Sequence, residues 1–219
     1  MSTTLHVIGD SHASILVGRE EKPFPQWPAQ VMGAPGLRVY HMGPVLAWNL
    51  GEPDHWCTLA LSHVLRELPA GAPVLLCFGE IDCRAHITKR ALAGEASPEW
   101  LTGRCVERYL RAARIITDSG RPCMAWGPIP SARDGVHNAP DFPSHGTCQH
   151  RNAITELFNV HLATIFGQAG IPVGSLFEQL ITPDGLNKEA YYHDGMHLGR
   201  QAMPMIKKAL AELMEEIKQ

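Results

Sequence analysis

Five short apolar runs punctuate this chain, and they constrain its fold more than any other feature. They are Leu5 to Ile8, Leu37 to Met42, Pro73 to Phe78, Pro122 to Trp126 and Pro172 to Phe177. A strand buried on both faces reads as a short continuous run of this kind, whereas a strand with one wet face alternates. Three of the runs enter through proline, and most leave through glycine or a polar residue.

Helical patterns lie between the runs. His55 to Leu68 places Leu59, Val64, Leu65 and Leu68 on one face. Pro98 to Ser119 starts with Ser97 as N-cap and Pro98 at the first helical position, and Gly120 ends it. Asn152 to Ala169 closes at Gly170, and Met203 to Ile217 makes the last helix. Strands alternating with helices predict a three-layer α/β/α sandwich around a five-stranded parallel sheet in the order 2-1-3-4-5. The 219 residues suffice for one domain, 1–219, with no repeat or low-complexity segment.

Two stretches break the alternation. Gly18 to Pro35 is rich in proline and charge. Gly127 to Gln149 carries Pro128, Pro130, Pro140 and Pro143, with His137, His145 and then His150. A connection this long is usually functional or mobile. Because it follows the fourth run, it belongs at the carboxyl edge of the sheet, where open α/β sheets bind ligands.

The net charge of −3 gives no electrostatic reason to expect nucleic acid or an anionic membrane as partner. No apolar run is long enough to span a bilayer. Met1-Ser2-Thr3-Thr4 lacks a basic segment leading into an apolar one, so a cytoplasmic location is expected. The six cysteines, at 57, 77, 83, 105, 123 and 148, form no C-x-x-C pair and read as thiols.

The chemistry gathers at the ends of the runs. Ser11 follows the first run in Gly9-Asp10-Ser11-His12. Near the other end of the chain, Asp194-Gly195-Met196-His197 sets a carboxylate and an imidazole in one turn. A hydroxyl, an imidazole and an orienting carboxylate are the parts of a nucleophilic triad. Each string also has a plainer reading, since Asp10, Ser11 or Asp194 could simply cap a helix. Two further elements, Gly43 after the second run and Gly79 to Arg84 after the third, fall on the same predicted edge. His145, Cys148 and His150 match no standard zinc spacing and are better read as part of a polar rim.

Together these blocks resemble the SGNH hydrolase superfamily, the GDSL esterases and lipases. Gly9-Asp10-Ser11 is similar to its first block, and Gly43 in His41-Met42-Gly43-Pro44 to its second. Gly79 to Asp82 is similar to the third block, Gly-x-Asn-Asp, and Asp194 to His197 to the last, Asp-x-x-His. The resemblance implies a flavodoxin-like fold with Ser11 as nucleophile, His197 as general base and then acid, and Asp194 orienting His197. It implies an oxyanion hole built on the N–H groups of Ser11 and Gly43, an acyl-enzyme, and no cofactor.

Two departures stand out. His12 follows the serine where the family name implies leucine, and Ile81 occupies the place of the oxyanion-hole asparagine. Losing one such donor costs about 10²–10³ in rate. Arg84, His12, Asn49 and His86 are the nearest replacements in sequence. Arg84 is preferred, with its guanidinium expected to point at the Ser11 hydroxyl, and the plain alternative pairs it with Glu80 or Asp82. Asp10, His12, Glu80 and His86 are expected to line the substrate. The expected reaction is hydrolysis of a short acyl ester on a small polar or carbohydrate carrier. Acyl transfer to a sugar hydroxyl and a non-catalytic binding module are the rivals. Trp27, Trp48, Trp56 and Trp126 are candidates for stacking on sugar rings, although core packing is the commoner fate of tryptophan.

Overall fold

Burial on both faces organises the sheet. The computed structural model describes residues 4–21, 26–136 and 143–217. Its strands are β1 (Leu5–Gly9), β2 (Gln30–Ala34), β3 (Leu37–His41), β4 (Val74–Cys77), β5 (Cys123–Trp126) and β6 (Val173–Gly174). They form one sheet in the order β2-β3-β1-β4-β5-β6, parallel throughout except for the β2–β3 pair. The helices are α1 (Trp56–Glu67), α2 (Thr88–Leu92), α3 (Pro98–Asp118), α4 (Cys148–Gln168), α5 (Phe177–Leu180) and α6 (Met203–Glu216).

Alternate residues of each central strand feed two separate cores. Ile8, Val74, Leu76 and Ala125 pack with side chains of α1, α3 and α4 on one face. Val7, Leu75, Cys77 and Met124 pack on the other with Ala13, Ile15 and Leu16 of the 3₁₀ segment Ser11–Val17 and with Ile206 and Leu213 of α6. That is the three-layer sandwich, and it explains why the strands read as continuous apolar runs. All six cysteines are buried and free. Among the described residues no helix is long and apolar enough to cross a membrane.

The structure departs from the sequence reading at the sheet edges. A sixth strand, β2, lies inside the stretch read as irregular. It pairs antiparallel with β3 across Pro35 and Gly36. As an edge strand it is half wet, with Val31 46% exposed, so it has no continuous apolar run to announce it. At the opposite edge, β6 keeps only two residues, and Phe177 starts α5 instead of extending the strand. In α1 the buried face runs through Cys57, Ala60, Leu61 and Val64, whereas Leu59 is 53% exposed. Helix α4 begins at Cys148, ahead of Asn152, because Thr147 caps it by accepting from His150 N at 3.2 Å. Ser97 caps α3 as expected, accepting from Trp100 N.

Candidate active site

Parallel strands place their carboxyl ends on one edge, so the segments leaving β1, β3, β4 and β5 meet there. Gly9 ends β1, where a β-carbon would come within 2.8 Å of the Cys77 carbonyl oxygen and 2.7 Å of the Ala13 side chain. Only glycine fits that approach, and it lets the chain turn directly into the 3₁₀ segment. Asp10 caps this segment by accepting from His12 N at 2.9 Å. Ser11 is its first residue.

The turn before α6 is built around Asp194. Its Oδ1 accepts from Met196 N at 2.9 Å and from His197 N at 2.7 Å. Gly195 has φ of 81°, and a β-carbon there would lie 2.7 Å from Val136. With Oδ1 so held, Oδ2 lies 3.0 Å from His197 Nδ1. His197 Nε2 lies 2.9 Å from Ser11 Oγ, joining residues 186 positions apart. A proton on Nδ1, toward the carboxylate, leaves Nε2 as acceptor for the serine hydroxyl. The structure thus brings together Ser11, His197 and Asp194 in a line along which a proton can leave the hydroxyl. Asp10 does cap the segment after β1, whereas Asp194 caps no helix: α6 starts at Met203 without a side-chain cap, and the Asp194 bonds instead close the turn that aims His197.

The second block lies just past β3. Met42 N donates to Gly9 O at 2.9 Å, which sets Gly43 beside the end of β1. Asp82 holds the loop that follows, with Oδ2 accepting from Ala47 N at 2.8 Å and Oδ1 from Trp48 N at 3.1 Å. Burial pushes the Asp82 carboxyl up to about 6, despite the opposing pull of these two N–H groups. The sequence reading considered Asp82 only as a partner for Arg84. Its place in the block similar to Gly-x-Asn-Asp was the available signal.

Arg84 takes the plainer of its two readings. Its Nε donates to Glu80 Oε1 at 2.9 Å and Oε2 at 3.1 Å, and its Nη1 to the Pro143 carbonyl at 2.8 Å. The expectation that the guanidinium aims at the Ser11 hydroxyl gives way to this buried pairing, because a carboxylate four residues earlier on the same segment is the stronger attractor. The pairing helps anchor the segment after β5, as does Arg151, which reaches the carbonyls of Ala132 and Gly146 at 2.7 Å each. Ile81, in the place of the family's asparagine, immediately precedes the π-helical turn Asp82–Ile87.

The expected substrate contacts divide. Asp10 and Glu80 are 1% and 4% exposed, and both line a small cavity together with His12. His86 is exposed on the π-helical turn. His12 is half-buried, and its ring stacks on that of His197 with centroids 4.4 Å apart. Its Nε2 lies 3.3 Å from Glu80 Oε2. Burial opposes the Glu80 charge, but the bond from His12 and the cations of Arg84 and His12 outweigh it and hold the carboxyl down at about 2. Asp10 is pushed up to about 6, chiefly by burial.

Trp126 is a core residue, Trp48 lies under Arg108 at 4.3 Å, and Trp27 and Trp56 are exposed. Cys148 Sγ donates to the Ser131 carbonyl, and His150 belongs to the cap of α4. Among the described residues no group of three or more His, Cys, Asp or Glu side chains could hold a metal ion. His137 and Pro140 lie outside the described residues.

No family model and no curated protein matches the chain. Solved structures do. A GDSL-like lipase of Bacteroides thetaiotaomicron superposes with a TM-score of 0.59 at 11% identity, covering 99% of this chain and 89% of its own. An inhibitor-bound aryl esterase of M. smegmatis gives 0.56 at 17% identity, over 97% and 98%. A carbohydrate acetylesterase of Sinorhizobium meliloti gives 0.51 at 16% identity, over 96% and 99%. The likeness runs end to end in each case, and with it the chain is seen to have the fold of the SGNH hydrolases.

Proposed function

We propose that the protein is a serine-dependent ester hydrolase. The observation that carries this reading is the continuous contact from Ser11 Oγ through His197 to Asp194, at 2.9 and 3.0 Å, on the carboxyl edge of the sheet. In the proposed reaction His197 Nε2 takes the proton of Ser11 as the oxygen attacks the ester carbonyl. The N–H groups of Ser11 and Gly43 stabilise the resulting oxyanion. The intermediate collapses, the alcohol leaves with the proton from His197, and the acyl group stays on Ser11. Water, activated by the same imidazole, then releases the acid. Asp194 fixes the tautomer and stabilises the imidazolium.

A short acyl group on a small polar or carbohydrate carrier is the substrate class we favour. The likeness to a carbohydrate acetylesterase supports it. A cytoplasmic location and a freely diffusing substrate belong to the same proposal. A screen of short- and long-chain aryl esters and acetylated sugars, with Ser11→Ala as control, tests it. Hydrolysis of the short esters that vanishes in Ser11→Ala supports the reading. Acyl transfer to added sugars without hydrolysis would replace it with a transferase, and no turnover or labelling at all with a binding module.

A further inference from the structure

Behind the triad lies a second imidazole–carboxylate pair that the proposed reaction does not use. His12 directly follows the nucleophile, and its ring lies nearly parallel to that of His197, with planes inclined by 22° and centroids 4.4 Å apart. Charged groups approach it from each neighbouring element. Asp10, on its own segment, accepts from its backbone N–H at 2.9 Å. Glu80, from the segment after β4, lies 3.3 Å from its Nε2 and is itself held by Arg84. From the turn before α6 come His197, backed by Asp194, and farther out His193, whose ring is 6.1 Å from that of His197.

Above about pH 6, where Asp10 is ionised alongside Glu80 and Arg84 is charged, this buried group is one positive charge short of neutrality, and an imidazolium at His12 supplies it. Burial alone would discharge His12. The bond to Glu80 and the charges of Glu80 and Asp10 outweigh burial, and the ring titrates above the usual histidine range. Asp10 Oδ2 and His12 Nδ1 are both buried without a hydrogen-bond partner among the described residues, and both residues line a cavity of about 20 Å³. That volume accepts one water molecule, which can accept a hydrogen bond from Nδ1–H and donate one to the carboxylate.

Resting on the triad reading above, we propose that His12 is a positioning residue: held as an imidazolium by Glu80, it braces the ring of His197 and keeps that base unprotonated to lower pH than Asp194 alone would allow. Two stacked imidazolium ions repel. At the observed separation, after screening by the partly open site, the repulsion corresponds to a shift on the order of one pH unit. The pair thereby widens the acidic range in which His197 can accept a proton.

The test is the pH dependence of kcat/KM for p-nitrophenyl acetate. His12→Phe keeps a stacked ring and removes the charge, so the acidic limb should move to higher pH by about one unit. An unmoved limb, or one displaced to lower pH, overturns the proposal. If His12→Phe does not fold, Glu80→Gln should displace the limb in the same direction, and a limb unmoved there overturns it equally. The His197 ring can also be titrated by NMR in a Ser11→Ala background, with and without His12→Phe, which needs no turnover. Hydrolysis that survives Ser11→Ala defeats the triad reading, while the NMR titration still decides the role of His12.

Discussion

Replacing Arg84 by methionine separates its two candidate roles. The guanidinium, 2% exposed, gives Glu80 two charge-assisted bonds and gives the Pro143 carbonyl a third. Methionine fills much of the same volume but leaves the buried Glu80 carboxylate with His12 as its remaining cationic partner. Removing one member of a buried ion pair typically costs about 3–5 kcal/mol. In a chain of this length each kcal/mol lowers the melting temperature by about 2–4 °C, so a fall of roughly 6–20 °C is expected. Calorimetry reads the stability, and ester turnover at a temperature where the variant is folded reads the chemistry. A structural Arg84 gives a large fall in Tm with kcat lowered by less than about tenfold, since a transition-state donor would cost about 10²–10³. A Tm within about 2 °C of the wild type (the effect of 1 kcal/mol or less) together with a kcat lowered about 100-fold would refute the reasoning and restore Arg84 as an oxyanion donor.

Three other outcomes follow from the same structure. Leu76→Ala empties a fully buried site in β4 and should cost about 2–5 kcal/mol in urea denaturation without altering the pH dependence of turnover. Asp82→Ala removes the acceptor of the Ala47 and Trp48 N–H groups, and should destabilise by about 1–3 kcal/mol while also lowering kcat, because the loop carrying Gly43 is released. In pH titrations of stability, Asp10 and Asp82, raised to about 6, bind protons in the folded state first, so their contribution grows as pH falls from 7 toward the ordinary carboxylate value of 3.8. Glu80, held at about 2, contributes stability above its ordinary 4.5 that is lost as pH falls toward 2. Urea denaturation should therefore find Asp82→Asn losing ground to the wild type between pH 7 and about 4.5, and a difference independent of pH would contradict the burial argument.

The central sheet was legible because burial on both faces leaves uninterrupted apolar runs, as in β4, where Val74, Leu75 and Leu76 are all fully buried. The edges were not. Strand β2 is half exposed, and its residues satisfy neither the continuous nor the alternating pattern. Ser11, Asp194 and His197 were legible because each chemical part sits in a short local turn, and only their meeting is long-range. The support beneath them was harder to read. Glu80 reads in the sequence as a substrate contact, since nothing local shows that Arg84 and His12 both pair with it. The four-residue spacing of Glu80 and Arg84 offered a hint, but the competing oxyanion role was read from the missing asparagine at Ile81 instead of from the geometry of the π-helical turn.

The measurement closest to the central claim is covalent labelling of the intact protein by a fluorophosphonate, followed by peptide mapping. The account predicts one adduct, on Ser11, absent in Ser11→Ala and formed at least about 100-fold more slowly in His197→Ala, because the hydroxyl then has no base to take its proton. An adduct on any other residue, or none in the folded wild-type protein, would contradict it.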